Sequence, residues 1–287
     1  MLRVATLNLL HNPDVLEERV TRLADELADE KLDFLLLQEV FHPGRGTGVD
    51  ALRVLGDKLG MKHAARTVAD GFSDGTAILS RHPLTTLPTR LSPATVTPPP
   101  PPPTIARTCI DGRSVVVISH HGAWGPHSAV ERMEQLRFLN TVAREEFTRD
   151  GAHLDQRTRP VIVLGGDFNA EPSALPIRWL RGDDPYEGES TIWVKASSDE
   201  PTTGGSNPFA ISTAQSMPSG SYRPHRTPRR CIDHIFVYEW CYGRAGEPER
   251  TRRFAHTTFT DSLGRLRSIS DHDGVLADLW MPAPDAS

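Results

Sequence analysis

The stretch VIVLGGDFNAEP, residues Val161–Pro172, decides the fold class and raises the question of function. Its four branched apolar residues predict a buried strand, which runs directly into Gly165 and Gly166 and then into Asp167 and Asn169. Glycine, Asp and Asn are common turn formers, so a simple turn is one interpretation. The other is a site at the end of a rigid strand, where glycines let backbone and ligand approach closely.

Strand and helix patterns alternate on both sides of this stretch. Apolar runs predict strands over 2–10, 32–40, 75–80, 231–238 and 273–280, and a hairpin over 105–121 that turns at Asp111–Gly112. Apolar residues at helical spacing predict helices over 12–31, 49–60 and 128–147. We expect Asn12 to cap the first helix, with Pro13 in its first turn, and Val130 to lie on the buried stripe of the third.

The domain organisation follows from the absence of breaks in this alternation. No repeat and no necessary boundary divides the 287 residues, so we predict one mixed α/β domain over 1–287. Two segments have no regular period. The proline-rich segment 97–104 predicts an exposed extended loop, and 197–224 predicts a long loop of a kind that is often functional.

The composition argues against several classes of protein. A net charge of −5 disfavours loose electrostatic binding of nucleic acid over the whole surface. Three cysteines are too few, and odd in number, for a disulfide framework, which indicates a reducing compartment. The N-terminus has no signal-peptide pattern and no segment has the length of a membrane span. We therefore expect a cytoplasmic, monomeric protein without a membrane span.

Polar residues recur near the ends of the predicted strands. They are Asn8, Glu39, the run Ser119-His120-His121, Asp167, Asn169, Asp233, Asp271 and His272. Each alone is typical of a solvated strand end. Strand ends at one edge of a sheet converge, however, and burying several carboxylates together is costly unless a cation or a reaction requires them. Together they predict a site.

These residues also carry a family resemblance. The segments TLN, LLLQE, GTAILSR, ISHH, GGDFNAEP, CIDHIFV and SDHDGV, in this order between Thr6 and Leu279, resemble the endonuclease/exonuclease/phosphatase superfamily of DNase-I-like, metal-dependent phosphoesterases. GGDFNA and SDH are the most specific pieces, and the order of all seven is more specific still. The resemblance implies an α/β fold, a four-layer α/β/β/α sandwich in which two mixed β-sheets pack face to face with helices outside.

The resemblance also implies roles for individual residues. Glu39 resembles the principal Mg²⁺ or Mn²⁺ ligand, with Asn8 and Asp271 beside the metal. Asp167 resembles the carboxylate that orients or activates water, and Asn169 the amide that supports the phosphoryl oxygens. His120 matches a histidine that donates to the phosphate. Asp233 and His272 resemble an Asp–His pair, and either Asp167 or His272 could serve as the general base.

Three positions depart from the family pattern. Leu10 stands where an acidic residue is common, so that a second metal ligand is missing. SHH replaces Thr-His-Leu, which leaves His121 as an alternative to His120. His234 replaces an aromatic residue. Outside these motifs, Trp124 and Trp193 could line a substrate cleft or could serve in packing.

The predicted function is metal-assisted hydrolysis of a phosphodiester by water, in a nuclease or a small-molecule phosphodiesterase. Alternatives are a phosphomonoesterase acting on a small phosphorylated substrate and a catalytically silent binding module on the same fold. A zinc hydrolase built on His120, His121 and His127 lacks the usual ligand spacing. For nucleic acid, the basic segments 223–230 and 250–253 could contact the phosphate backbone; for a small substrate, 197–224 could act as a lid.

Overall fold

The computed structural model describes residues 1–42, 48–68, 72–89, 101–125, 127–204 and 228–282. The α-helices in these residues are α1 (Leu16–Leu27), α2 (Ala51–Leu59), α3 (Ala129–Thr148) and α4 (Leu175–Leu180). The strands are β1 (Leu2–Asn8), β2 (Phe34–Phe41), β3 (His63–Thr67), β4 (Asp74–Ser80), β5 (Thr85–Thr86), β6 (Thr104–Ile110), β7 (Arg113–His121), β8 (Val161–Asp167), β9 (Trp193–Lys195), β10 (Asp233–Tyr238), β11 (Pro248–Phe254), β12 (Thr258–Thr260), β13 (Leu266–Ser268) and β14 (Gly274–Leu279). Short 3₁₀ turns follow α1 (Ala28–Glu30) and α3 (Arg149–Leu154).

Two mixed β-sheets form the centre of the molecule. Within the described residues, the first sheet has the order β11-β14-β1-β2-β4-β3 and the second β5-β6-β7-β8-β10-β9, while β12 and β13 form a separate ribbon. Each sheet has a parallel pair at its centre, β1 with β2 and β7 with β8, and antiparallel pairs elsewhere. The predicted fold class, two mixed sheets with helices outside, is confirmed.

Three apolar layers hold the sandwich together. The outer face of the first sheet packs on α1 and α2, and the outer face of the second packs on α3 and α4. The third layer lies between the sheets and contains, among others, Phe34, Leu36, Val117, Val163 and Ile235. Burial of this much branched apolar surface is the main favourable term in folding.

The layer between the sheets changes character along the strands. On the inward face of β7, Val115 and Val117 are followed by Ser119 and His121, in step with the two-residue period of a strand. Next to the apolar part, Gln38 Nε2 donates to Ser119 Oγ (3.1 Å) and Thr6 Oγ1 (3.2 Å). The bond from Gln38 to Ser119 connects the two sheets, and the bond to Thr6 joins β1 and β2 beside it; together they mark where the apolar part ends.

Two local predictions were wrong. Helix α1 begins at Leu16 after Val15, which has no side-chain cap, while Asn12 accepts from the Asp14 amide and closes a turn instead. Val130 is 61% exposed because α3 turns it away from the buried stripe that contains Met133 and Leu136. The hairpin turn was correct: Asp111 and Gly112 both have positive φ.

The two predicted loops are only partly described. In 97–104, residues 97–100 lie outside the described part, and Thr104 already begins β6. In 197–224, residues 205–224 lie outside it, as do 223–227 of the basic segment 223–230. None of the described helices is long and apolar enough to cross a membrane.

Candidate active site

Side chains from both sheets meet at one edge of the inter-sheet layer. We call this group the polar rim, and it consists of Asn8, Glu39, His121, Asp167, Asp233, Asp271 and His272. β1, β2 and the segment before β14 provide it from the first sheet, and β7, β8 and β10 from the second. All the members except Glu39 and Asp271 are buried.

Glu39 reaches the polar rim through a β-bulge. The pairing of β2 with β4 shifts between Leu37 and Val40, and Glu39 has a φ of 56°. The inserted residue lets Val40 continue in the apolar layer beneath the helices while the Glu39 carboxylate turns to the rim. A non-glycine residue in the left-handed region is strained, and such strain concentrates at functional sites.

Asn8 connects the carboxylates of the two sheets. Its Nδ2 donates to Glu39 Oε1 (2.9 Å) and to Asp167 Oδ2 (3.1 Å), and its Oδ1 accepts from the Leu10 amide (2.9 Å). Through these bonds Asn8 orients Glu39 and Asp167, and its Oδ1 keeps a second lone pair that could face a cation. Leu10, at the position where the family has an acid, provides only its backbone here.

Asp167 lies at the end of β8, where the two glycines of the opening motif are needed. A side chain at Gly165 would meet Leu36 of the opposite sheet at 2.8 Å, and one at Gly166 would meet the His120 carbonyl at 1.9 Å. Burial alone would raise the pKa of Asp167, but His272 and His121 outweigh burial and hold the pKa below its ordinary value. Asp167 is therefore an anion at neutral pH.

Asn169 follows Asp167 and fixes the neighbouring loop. Its backbone amide donates to Asp167 Oδ1 (2.8 Å), and its Nδ2 donates to the Gly122 carbonyl (3.0 Å). Like Glu39, it has a positive φ, of 48°. The side-chain amide has two N–H groups, so one remains for a ligand.

His272 and Asp233 form a close pair. His272 Nδ1 lies 2.8 Å from Asp233 Oδ2, which also accepts from Thr202 Oγ1 (2.6 Å). Burial would lower the pKa of His272, but Asp233, Asp271 and Asp167 raise it well above its ordinary value. Burial raises the pKa of Asp233 to about 6 against the opposing charge of His272. At neutral pH the pair is an imidazolium and a carboxylate, with Nε2 of His272 facing Asp167 at 3.8 Å.

The structure places His121, not His120, in the polar rim, which corrects the assignment of His120. His121 Nε2 lies 3.7 Å from Asp167 Oδ2 and 3.9 Å from Glu39 Oε1. His120 points to the opposite face of β7, because side chains alternate along a strand, and contacts the edge of Phe168. Burial lowers its pKa to about 3, so His120 is a neutral core residue.

His234 is likewise a core residue that replaces an aromatic one. Its ring contacts Phe168 and Phe236 edge-on, and its Nε2 lies 2.9 Å from the Ala170 carbonyl. Burial lowers the pKa of His234 to about 3. The departure from the family pattern therefore conserves an aromatic packing position and leaves the polar rim unchanged.

The oxygen donors near Asp271 fit a hard divalent cation. Burial, followed by the charges of Glu39 and Asp167, raises the pKa of Asp271, and these carboxylates therefore repel one another. A cation between Glu39 and Asp271 would relieve that repulsion, and carboxylate oxygens are the ligands that Mg²⁺ and Mn²⁺ prefer. The donor set of this edge therefore fits such an ion.

A second group of possible ligands is less suitable. Asp167, Asp233 and His272 have ligand atoms within 4.8 Å of one another. His272 Nδ1, however, is already engaged with Asp233 at 2.8 Å. A His–Asp pair at this distance orients the imidazole for proton transfer. His272 is therefore less available as a metal ligand than the carboxylates of Glu39 and Asp271.

Sequence analysis missed several residues that support the rim. Arg19 is fully buried on α1 and donates to the carbonyls of Ile269 (2.7 Å) and Asn12 (2.7 Å). Burial lowers the pKa of Arg19 to about 10, and the charges of Asp271 and Glu39 oppose this shift. The sequence did contain a signal for Arg19, because a charged residue on the apolar stripe of the predicted helix 12–31 is unusual. Thr202 and Asp74, which also lie at the site, had no comparable signal because each follows an irregular segment.

The sequence matches a protein family over most of its length. The model of the Endonuclease/Exonuclease/phosphatase family matches residues 5–272, and the chain belongs to this family. Members of the family are hydrolases that act on phosphoester bonds, and they use divalent metal ions. No curated protein matches the sequence in a direct comparison.

Solved structures share the fold at low sequence identity. D. rerio TDP2, complexed with a single-strand DNA product, has a TM-score of 0.66 at 16% identity and covers 98% of this chain and 99% of its own. An endonuclease/exonuclease/phosphatase from Beutenbergia cavernae has a TM-score of 0.60 at 22% identity, with coverage of 100% and 73%. Beta toxin from Staphylococcus aureus has a TM-score of 0.65 at 14% identity, with coverage of 97% and 99%. These likenesses establish the fold.

Proposed function

We propose that this chain is a Mg²⁺- or Mn²⁺-dependent phosphodiesterase that uses water to cleave its substrate. The observation that carries the proposal is the polar rim, where two sheets deliver oxygen donors for a hard cation and a His–Asp pair to one place. Phosphodiester hydrolysis needs charge neutralisation on the phosphoryl oxygens and controlled proton transfer. The rim has groups for both.

Asp167 and His272 divide the acid–base chemistry in this proposal. The lowered pKa of Asp167 keeps it ionised, so that it can orient the attacking water and accept its proton. The raised pKa of His272 keeps its ring protonated, and Nε2 can donate to a phosphoryl or leaving oxygen. Asp233 holds Nδ1 and so fixes the direction of Nε2.

Glu39 and Asp271 would hold the cation, with Asn8 fixing the Glu39 carboxylate. When bound, a divalent cation neutralises charge on the phosphoryl oxygens. His121 faces the same space and takes the place of His120 as donor to the phosphate. The complex of D. rerio TDP2 with a single-strand DNA product supports nucleic acid as the diester.

Hydrolysis of bis(p-nitrophenyl) phosphate tests the proposal. Activity should require Mg²⁺ or Mn²⁺, stop with EDTA, and fall about 100-fold or more in Glu39→Ala, since a principal charge-stabilising group is lost. Glu249→Ala, on the exposed part of β11, is the matched control and should retain full activity.

Three outcomes would contradict the proposal in different ways. Full activity in Glu39→Ala would refute the assignment of the metal site. Hydrolysis of p-nitrophenyl phosphate without hydrolysis of the diester would indicate a phosphomonoesterase. Binding of Mn²⁺ without hydrolysis of either ester would indicate a silent binding module.

A further inference from the structure

The loop after β7 carries an exposed tryptophan beside the polar rim. Residues 122–125 follow His121 directly, and Trp124 in this loop is 64% exposed. Trp193, for which the sequence also left a choice between a cleft and packing, is 2% exposed, and its Nε1 donates to Asn140 Oδ1 (3.1 Å). Trp193 is therefore a packing residue, whereas packing does not account for the indole of Trp124.

The backbone of this loop is held along its whole length. Its hydrogen bonds are Gly122 N to the Asp167 carbonyl (2.7 Å), Asn169 Nδ2 to the Gly122 carbonyl (3.0 Å), Ala123 N to Gln135 Oε1 (2.9 Å), Arg132 Nη1 to the carbonyls of Ala123 (2.8 Å) and Gly125 (3.0 Å), and Ser128 Oγ to the Trp124 carbonyl (2.8 Å). A backbone fixed in this way loses little further freedom when a ligand binds, so the position from which the indole projects is preorganised.

The same contacts place Trp124 near the reacting groups. A side chain at Gly122 would lie 2.3 Å from the Phe168 carbonyl, so the loop packs against the segment that carries Asp167 and Asn169. Three residues span at most about 10 Å, so the Cα of Trp124 lies within that distance of the Cα of His121. Trp124 is therefore close enough to contact a group next to the one that binds at the polar rim.

Positive charge lies beside the loop. Arg132 Nη1 binds the loop carbonyls of Ala123 and Gly125. Arg230 is exposed, and its Nε binds Glu171 Oε1 (2.9 Å), just after the segment of Asp167 and Asn169 against which the loop packs. An aromatic surface next to guanidinium groups is the combination that proteins use to bind single-stranded nucleic acid.

We propose that Trp124 is a stacking platform for a nucleobase next to the scissile phosphate, and that the substrate is a single-stranded nucleic acid. The inference rests on the proposed phosphodiesterase function and names its substrate class. The base adjacent to the scissile phosphate stacks on the indole, while the sugar-phosphate chain passes Arg230. Because every base has a planar face, the platform is tolerant of sequence.

Binding to matched oligonucleotides tests this subsite. Affinities would be measured in an Asp167→Asn background, which prevents cleavage, for a short single-stranded DNA and for the same strand with abasic sugars throughout. Trp124→Ala should weaken binding of the normal strand by about tenfold, the scale of one lost stacking contact, and change the abasic strand by less than about twofold. Trp124→Phe should restore most of the loss.

The control is Trp240→Ala, since Trp240 is 58% exposed beyond the C-terminal end of β10, away from the rim. This variant should bind both strands as the parent does. Equal losses on both strands, or no loss, would overturn the stacking role, as would failure of the parent to bind either strand. Trp124-dependent binding to phosphatidylcholine vesicles without discrimination between strands would assign the loop to a membrane surface and overturn it too.

The assay of bis(p-nitrophenyl) phosphate separates the two proposals. If metal-dependent hydrolysis is present but Trp124→Ala does not distinguish the strands, the phosphodiesterase stands and the nucleobase platform falls. If no diester is hydrolysed under any metal condition, the phosphodiesterase falls and the platform falls with it as a catalytic subsite.

Discussion

The two halves of the inter-sheet layer are built on the same strands and have opposite properties. In one half the inward-facing residues are aliphatic or aromatic: Leu2, Val4, Phe34, Leu36, Val115, Val117, Val161, Val163, Ile235 and Val237. In the other half the residues at corresponding positions are Thr6, Asn8, Gln38, Ser119, His121, Asp167 and Asp233. The apolar half contributes free energy of folding, whereas the polar half holds charges in a position that folding alone would not favour. Substitutions in the two halves should therefore separate stability from activity.

The largest expected effect is on activity, from the polar half. His272→Ala should lower kcat for bis(p-nitrophenyl) phosphate by about 10²–10⁴-fold, because a positioned proton donor is lost. The melting temperature should be measured in parallel, because removal of the ring leaves the buried Asp233 carboxylate without its charged partner. His63→Ala, on edge strand β3, is the control and should leave kcat unchanged. An active His272→Ala enzyme would remove His272 from the chemistry.

The next largest effect is on stability, from the apolar half. Leu36→Ala should lower the free energy of unfolding by about 2–5 kcal/mol, because it leaves a cavity between two packed sheets. Urea unfolding would measure the loss. The kcat of the remaining folded enzyme should stay within about twofold of the parent, since only changes in groups stabilising the transition state alter kcat strongly. A large fall in kcat without loss of stability would mean that the two halves are not separable.

Some features of the two halves could be predicted from the sequence, and others could not. The strands that provide the polar rim, the Asp111–Gly112 turn and the residues of the rim could be predicted, because apolar runs and motif order are local signals. The peripheral strands β3, β5, β9, β11, β12 and β13 were not predicted. The choice between His120 and His121 depended on which residue of β7 faces inward. His121 lies on the same face as Val115 and Val117, but the sequence does not show that this face packs against the other sheet. The bulge at Glu39 and the carbonyl contacts of Arg19 arise from tertiary packing, so no local pattern encodes them.

A smaller effect concerns the dependence of stability on pH. It comes from His234, which lies on the outer face of β10 and outside both halves. His234 has a pKa of about 3 in the folded state, against an ordinary value of about 6.5. The unfolded chain therefore binds a proton between these values and the folded chain does not, so stability falls as the pH drops below about 6.5, by about 1.4 kcal/mol per pH unit for this group. His234→Phe should abolish that contribution.

At neutral pH the same variant should be less stable by about 1 kcal/mol, because the Ala170 carbonyl loses its hydrogen-bond donor. The difference between variant and parent should be constant above about pH 7 and should reverse in sign near pH 6. Unfolding curves at several pH values would show the crossing. A difference that is independent of pH would mean that His234 takes up its proton equally in the folded and the unfolded protein, and would refute the lowered pKa.

The smallest expected effect measures how much the charge of Asp271 in the polar half lowers the stability of the protein. The ionised form of Asp271 is disfavoured by burial and by Glu39, so Asp271→Asn should raise the free energy of unfolding without metal by about 1 kcal/mol, the scale of a single stabilising substitution. Mg²⁺ should raise the melting temperature of the parent but not of Asp271→Asn. Asp57→Asn, at an exposed position of α2, should respond to Mg²⁺ as the parent does. An equal Mg²⁺ response in Asp271→Asn would place the ion elsewhere.

Because the polar rim is assembled from both sheets, the proposed activity depends on their packing against each other and not on either sheet alone. Asn8 bridges Glu39 of one sheet and Asp167 of the other, so a separation of the sheets by a few ångströms would break that bridge while each strand ladder stayed intact. In a denaturant titration, enzymatic turnover should therefore disappear no later than the tertiary signal and ahead of the far-ultraviolet signal if the layers part first. Turnover would then report whether the two sheets remain packed against each other.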